Sequence, residues 1–138
     1  EGPPGLVDGL GLLDVETVLA GDKTTRLVTG SHPETGSAVS GYEIHMGRTG
    51  GADCARPFLE IEGAAEGAVS ADGRVFGTYV HGLFAHDAFR AAFLRAHDAH
   101  SDLAYEAAVE RTLDDLAAHL ENCLDTDAIL AIARSVRR

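Results

Sequence analysis

The amino-acid composition changes near residue 84, and this change constrains the fold more than any other feature. Before it the chain is rich in Gly, Val and Thr, with turn residues between short apolar runs, which predicts β-strands. After it the chain is rich in Ala and Leu, and apolar residues recur at helical spacing. Strands first and helices afterwards predict a mixed α/β fold, either an α+β domain or the second half of a larger one. We favour the second option, because the opening Glu1-Gly2-Pro3-Pro4 resembles no first element.

The first part of the chain predicts five strands separated by turn residues. Asp72-Gly73 predicts a hairpin turn between Val69 and Val75, since glycine tolerates a positive φ angle. The strands are expected at Leu10–Leu13, Arg26–Thr29, Val39–His45, Phe58–Ile61 and Val75–Val80.

The second part predicts three helices. The first carries Phe89, Phe93 and Leu94 and is expected to be capped by Asp87. The second runs from about Leu103 to Leu120, with its apolar residues mainly on one stripe. The third is expected to be capped by Asp125 or Thr126.

Charge and composition exclude several classes of function. The formal net charge is -11, so the chain repels the phosphates of nucleic acids and anionic lipids. No apolar run approaches the roughly 20 residues of a membrane span, and no leader opens the chain. Cys54 and Cys123 are isolated thiols, which predicts no metal motif, no disulfide framework and a reducing cytoplasmic setting.

A histidine at a predicted strand end is the first candidate for chemistry. In open α/β sheets ligands bind beyond the carboxyl ends of the strands, and His81 is followed there by Gly82, which permits a sharp turn. An imidazole titrates near neutral pH and can act as a general base. The residues alone leave two interpretations open: a catalytic base, or a satisfied histidine at a strand end.

The segment Gly41–Thr49, GYEIHMGRT, is the second candidate. Strand alternation places Tyr42 on one face and both Glu43 and His45 on the other, either as a hydrogen-bonded site or as an exposed strand face. The spacing of His45, His81 and His86 gives no metal motif, and the chain has neither a phosphate-binding glycine loop nor a G-x-S-x-G elbow. The remaining histidines are interpreted as surface residues: His32, His97, His100 and His119.

Together these segments resemble the cobyric acid synthases. The stretch GLGLLDVET at 9–17 is similar to a stretch of that family, GYEIHMGRT at 41–49 to its GYEIHMG.T motif, and DGRVFGTYVHGLF at 72–84 to its catalytic-histidine segment. The end of the chain, from Leu113 to Asp127, resembles the family's closing helices. Cobyrinic acid a,c-diamide synthase shares the domain but usually has GHE where this chain has Gly41-Tyr42-Glu43.

The resemblance implies the carboxy-terminal part of a class I-type, flavodoxin-like glutamine amidotransferase domain covering residues 1–138. The family amidates carboxylates of the corrin ring in cobalamin biosynthesis, with ATP and Mg²⁺ used by a separate synthetase domain and ammonia taken from glutamine. His81 maps onto its base histidine, which activates a cysteine thiol. Tyr42, Glu43 and His45 are expected to contact substrate, and no cofactor is expected in this chain.

The sequence departs from the family's complete pattern in two places. The cysteine elbow is expected upstream of residue 9, and neither Cys54 nor Cys123 maps onto it. Leu83 stands where many class I amidotransferases have a Glu that orients the histidine. Glu43 or a backbone carbonyl is the suggested substitute.

Two hypotheses follow. In the first, this chain supplies the base histidine of an enzyme and cannot hydrolyse glutamine alone, its partners being the rest of the amidotransferase domain and the synthetase domain. In the second, it is a non-catalytic interaction module, or the same piece of a related amidotransferase. Unpaired strand edges then predict self-association of the isolated chain.

Overall fold

A computed structural model describes residues 4–19, 21 and 23–135, which divide between Ser101 and Asp102 into two compact units. The first unit contains the strands and one helix, and the second contains two helices. The strands are β1 Glu16–Val18, β2 Thr24–His32, β3 Ser37–His45, β4 Arg48–Gly50, β5 Leu59–Ile61, β6 Ala64–Glu66, β7 Ala68–Val69, β8 Phe76–Gly77 and β9 Val80–His81. The α-helices are α1 Asp87–Ala96, α2 Tyr105–Cys123 and α3 Thr126–Ser135. Short 3₁₀ turns cover Ala52–Ala55 and Leu83–Ala85.

The largest sheet is antiparallel and has the strand order β6-β5-β2-β3-β9. Its centre is the β2–β3 hairpin, which pairs from Thr24 with His45 to His32 with Ser37. Two smaller sheets join β1 to β4 and β7 to β8. The predicted order of strands first and helices afterwards is confirmed, and so is the Asp72-Gly73 hairpin, since Val69 pairs with Phe76.

The core of the first unit lies between the sheet and α1. Leu59 from β5 and Phe89 from α1 are completely buried, and each contributes about 1.5–3 kcal/mol by removing apolar surface from water. The remaining members come from the hairpin, from β5 and the residue before it, from β9 and the turn after it, and from α1. They are Val28, Val39, Phe58, Ile61, Val80, Leu83 and Phe93.

One strand prediction is wrong and another is wrong in part. Leu10–Leu13 forms bends, and the first strand begins only at Glu16, where it can pair with β4. The predicted strand Val75–Val80 is broken into β8 and β9. The break is held by Glu66, whose carboxylate accepts hydrogen bonds from the Thr78 hydroxyl at 2.6 Å and from the Tyr79 N–H at 2.8 Å.

The helix caps were predicted with mixed success. Asp125 caps α3, because its Oδ1 accepts a hydrogen bond from the Ala128 N–H at 2.9 Å. The prediction that Asp87 caps α1 is wrong. His86 occupies the cap position, and its Nδ1 accepts from the Phe89 N–H at 3.4 Å. Asp87 is the first residue inside the helix, where its carboxylate pairs with Arg90.

His32 is not a surface residue, contrary to the prediction. It is 3% exposed and makes edge-to-face contacts with Phe58, Phe89 and Phe93, with ring centroids 5.0, 5.5 and 6.0 Å away. We call these four residues the aromatic cluster. Burial lowers the pKa of His32, while Glu34 opposes and His97 adds to the shift. The other three histidines are exposed as predicted: His97, His100 and His119.

The second unit leaves its apolar side chains uncovered. The predicted second helix corresponds to α2, displaced by two to three residues at each end. No side chain of α2 or α3 is buried in the ranges that the structure describes. Across those same ranges no helix combines the length and the apolar content that crossing a membrane requires.

Candidate functional site

His81 is the last residue of β9, at the edge of the large sheet, and its side chain is exposed. The flanking residues Val80 and Leu83 are both buried in the core and so fix the backbone on either side of it. Gly82 adopts a φ angle of 82°, a left-handed conformation that glycine adopts without strain. The chain therefore leaves the strand sharply after His81 and presents the imidazole to solvent.

Tyr42 lies directly opposite His81 in the antiparallel pairing of β3 with β9. The two rings are nearly parallel, with an interplanar angle of 8° and centroids 6.0 Å apart. This spacing is within the range of offset aromatic stacking. Among the side chains that the structure describes, none makes a hydrogen bond to the His81 ring. The aromatic contact of that ring is the stack with Tyr42.

Gly41 allows β9 to approach β3 at this point. A Cβ atom added at Gly41 would overlap the carbonyl oxygen of His81 and crowd the Val80 side chain at 2.8 Å. Any larger residue would therefore push apart the two strands that bring Tyr42 and His81 together.

Glu43 and His45 point to the other face of β3, as strand alternation predicts. The His45 Nε2 donates to Glu43 Oε1 at 2.9 Å, and the Arg26 Nε donates to Glu43 Oε2 at 2.7 Å. Hydrogen bonds from Arg26 to Glu62 and Glu43 raise the pKa of the guanidinium above its ordinary value. Both oxygens of Glu43 are thus engaged away from His81, so the suggestion that Glu43 orients that imidazole is not met.

A cavity of about 550 Å³ opens on this second face. Beside the cavity the His45 ring stacks on the Tyr79 ring, with centroids 4.3 Å apart and an interplanar angle of 18°. Because Nε2 of His45 donates to Glu43, Nδ1 is the acceptor in the neutral ring. That Nδ1 is buried and has no hydrogen-bond partner within the described part of the chain. The polar residues lining the cavity include Thr17, Glu43, His45, Thr49, Glu66, Thr78 and Tyr79.

A chain of hydroxyl groups supports the Tyr79 ring. Thr17 Oγ1 lies 2.6 Å from Thr49 Oγ1, which in turn makes a short hydrogen bond with the Tyr79 hydroxyl. This chain connects the β1–β4 ribbon to the segment that precedes β9. The cavity wall is thereby linked to the strand that carries His81.

Neither cysteine lies in the sheet that carries His81. Cys54 is half-buried in the 3₁₀ turn and lines the cavity on the second face, whereas Cys123 ends α2 and is exposed. Neither lies at a turn from a strand into an α-helix. Within the described ranges, no three His, Cys, Asp or Glu side chains are grouped as metal ligands would be.

The structure therefore divides the predicted site residues between two faces of one strand. Tyr42 joins His81, while Glu43 and His45 line the cavity behind them. Tyr79 and Glu66 were not singled out from the sequence. Tyr79 lies within the same segment as His81, which was a usable signal, but Glu66 reaches Thr78 only through the pairing of β5 with β6.

Comparison with known proteins gives a consistent result. Residues 1–89 match the model of the CobB/CobQ-like glutamine amidotransferase domain. The chain is 59% identical over 136 residues to a cobyric acid synthase of Ruegeria sp. (strain TM1040), a match that covers 99% of this chain and 28% of the relative. It is 58% identical over 135 residues to a cobyric acid synthase of Cereibacter sphaeroides (strain ATCC 17023), covering 97% of this chain and 28% of the relative.

A third relative is a cobyric acid synthase of Azorhizobium caulinodans, which is 57% identical over 136 residues, covering 97% of this chain and 28% of the relative. This chain thus spans little more than a quarter of the length of these curated relatives. No solved structure matches it.

Proposed function

The chain belongs to the CobB/CobQ-like glutamine amidotransferase family, and from this premise we propose that it is part of a cobyric acid synthase in which His81 is the general base of glutamine hydrolysis. The observation that carries the proposal is the placement of His81. Its imidazole is exposed at a strand end between two buried anchors, and it is free of any carboxylate partner among the described residues.

In the proposed reaction His81 first accepts a proton and later donates it. A cysteine thiol supplied by another part of the full-length protein gives its proton to the imidazole and attacks the glutamine amide. The imidazolium then returns this proton to the amide nitrogen, whose bond to carbon breaks so that it leaves as ammonia. An exposed histidine at a strand end suits this role, since a second segment can approach it from solvent.

The substrates of the whole enzyme are proposed from the relatives. We propose that the ammonia amidates carboxylates of the corrin ring, in the cytoplasm, during cobalamin biosynthesis. ATP and Mg²⁺ are expected to act elsewhere in the longer protein, because the sequence of this chain has no glycine-rich phosphate loop. We therefore assign both to the synthetase domain of the longer protein.

Substrate contact is proposed at the cavity on the second face of β3. The unpartnered Nδ1 of His45 offers an acceptor for an N–H group, and Glu43 holds the ring in the tautomer that leaves this acceptor available. Tyr42, on the opposite face, is available only to a molecule that approaches His81.

The test compares the wild-type full-length protein with its His81→Ala variant. Each is assayed with glutamine and then with an ammonium salt as nitrogen donor. We expect glutamine-dependent amidation to fall by about 100-fold or more, the usual size of an acid–base contribution, while ammonium-dependent amidation persists. His100→Ala is the matched control, since His100 is exposed and outside every helix and strand. Near-normal glutamine-dependent activity in His81→Ala would contradict the proposal.

We also propose that the isolated 138-residue chain does not hydrolyse glutamine, because base and nucleophile act as one unit. Ammonia release above background by the purified chain would contradict this.

Self-association is proposed for the same isolated chain. One edge of β3 pairs with β2 along its whole length, but the opposite edge pairs with β9 only at Tyr42 and Glu43. The rest of that opposite edge has no partner strand among the described residues, and such an edge can recruit another chain. A monomer over a wide concentration range, measured by light scattering, would contradict it.

A further inference from the structure

We propose that Tyr42 is a positioning residue for His81, holding the imidazole in its working orientation by parallel stacking. This inference rests on the proposed role of His81 and deepens it. It gives Tyr42 a task distinct from the substrate contact that the sequence motif suggests.

The first argument is that the usual means of orienting a catalytic histidine are taken up elsewhere. Glu43 is the nearest carboxylate along the paired strand, but its two oxygens bind Arg26 and His45 on the other face. Leu83, two residues after the histidine, is apolar and buried in the core. Of the side chains that the structure describes, Tyr42 is the one stacked on the His81 ring.

The second argument is geometric. A tyrosine and a histidine directly opposite one another in an antiparallel pair have side chains on the same face, close enough to touch. The 8° interplanar angle means that rotation of the imidazole about its Cβ–Cγ bond would break the parallel contact. The stack thus selects one ring plane, which is the property that a general base needs.

The third argument concerns what surrounds the tyrosine ring. The Tyr42 Cε1 lies 3.9 Å from the position that a Cβ at Gly82 would occupy, so the ring extends over the turn that follows His81. The ring therefore lies beside both the imidazole and the chain reversal that follows it. A flat ring supplies these contacts, and the phenol hydroxyl is not needed for them.

This distinction makes the test sharp. Tyr42→Phe keeps the flat ring and removes the hydroxyl, whereas Tyr42→Leu keeps apolar bulk and removes the flat ring. Leu27→Ala is the control. Leu27 lies opposite Tyr42 on β2 and is 83% exposed, and its side chain is not one of the two stacked rings. Thermal unfolding of each variant reports whether the fold is retained.

Two measurements are made on the full-length protein. Glutaminase kinetics give kcat and KM, and spectra of protein with ¹³C-labelled histidines report the His81 ring, which is assigned by its loss in His81→Gln. For Tyr42→Leu we expect kcat to fall about threefold to tenfold, the factor that one aromatic stacking contact is worth, with little change in KM. The His81 ring resonance should shift as the tyrosine ring current is lost.

Tyr42→Phe and Leu27→Ala should keep kcat within about twofold of wild type and leave the His81 resonance near its position, since neither removes a stacking contact. Three results would overturn the proposal: a loss of kcat in Tyr42→Phe equal to that in Tyr42→Leu, a loss confined to KM, or an unchanged His81 resonance in Tyr42→Leu. The resonance tests the stack even if His81→Ala proves fully active, a result that would remove only the proposed role of His81.

Discussion

His32 and His81 each end a strand of the same sheet, yet their surroundings are opposite. His32, at the end of β2, is enclosed by three phenylalanines, and its Nδ1 accepts a hydrogen bond from the Thr35 N–H at 3.3 Å. His81, at the end of β9, is exposed and stacks on a single ring. A strand end alone therefore does not decide whether a histidine serves packing or chemistry. What covers the end decides it.

The cover over His32 comes from α1. Phe89 and Phe93 are four residues apart, so both project from one side of the helix toward the sheet. Among the described residues of the first unit, no corresponding element covers His81, which is exposed. The aromatic cluster should therefore control stability, and the edge at His81 should control activity.

The largest expected effect tests the stability half of this comparison. Phe89→Ala removes a fully buried ring, and we expect a loss of about 3–5 kcal/mol in the free energy of unfolding, because the helix and sheet cannot close the cavity completely. Denaturant unfolding of the chain measures it. Phe84→Ala is the matched control and should cost clearly less, since Phe84 is 44% exposed. Equal losses would show that the cluster is not the source of stability.

A smaller effect is expected at the edge. Gly82→Ala places a Cβ in the left-handed region, which costs about 1–2 kcal/mol of stability. Gly36→Ala should cost a similar amount, because Gly36 has a φ angle of 66° and open space around it. Only Gly82→Ala should also lower glutamine-dependent activity of the full-length protein. If both variants retain wild-type activity, the turn after His81 does not aim the imidazole.

The smallest effect is a dependence of stability on pH that originates at His32. Its pKa is lowered by burial, so the unfolded chain takes up a proton first as the pH falls below about 6.5, and stability decreases. For a single site this loss stays below about 1 kcal/mol between pH 7 and pH 6. His32→Asn should reduce the difference in the free energy of unfolding between pH 7 and pH 6, whereas His100→Asn should leave it unchanged. Thermal or denaturant unfolding at the two pH values provides the measurement, and identical slopes for wild type and His32→Asn would contradict it.

Much of the fold could be predicted from local sequence. The strands β2 and β3 follow from short apolar runs between turn residues, α2 from helical periodicity, and the Asp125 cap from a side chain that accepts a backbone N–H. The errors fall where a distant partner decides. The chain at Leu10–Leu13 is apolar enough for a strand but pairs with no strand among the described residues, whereas Glu16 pairs with Gly50 of β4.

The sequence indicated several members of the candidate site but not how they are arranged. The motif around residues 41–45 and the segment ending at His81 were both singled out, yet nothing local indicates that Tyr42 and His81 would pair. His32 was assigned to the surface because its burial depends on Phe58, Phe89 and Phe93, which come much later in the chain. Burial is a property of tertiary packing, which single-residue patterns do not contain.

Gly41 has a consequence for how tolerance to mutation should be distributed along this chain. It offers no chemical group, and its importance comes entirely from the carbonyl of His81 that occupies the space of a side chain. In a saturation mutagenesis screen, position 41 should therefore tolerate as few replacements as a reacting residue does. An enzyme engineer who ranked positions by functional groups would overlook Gly41, although it allows the close approach of strands that brings the Tyr42 and His81 rings together.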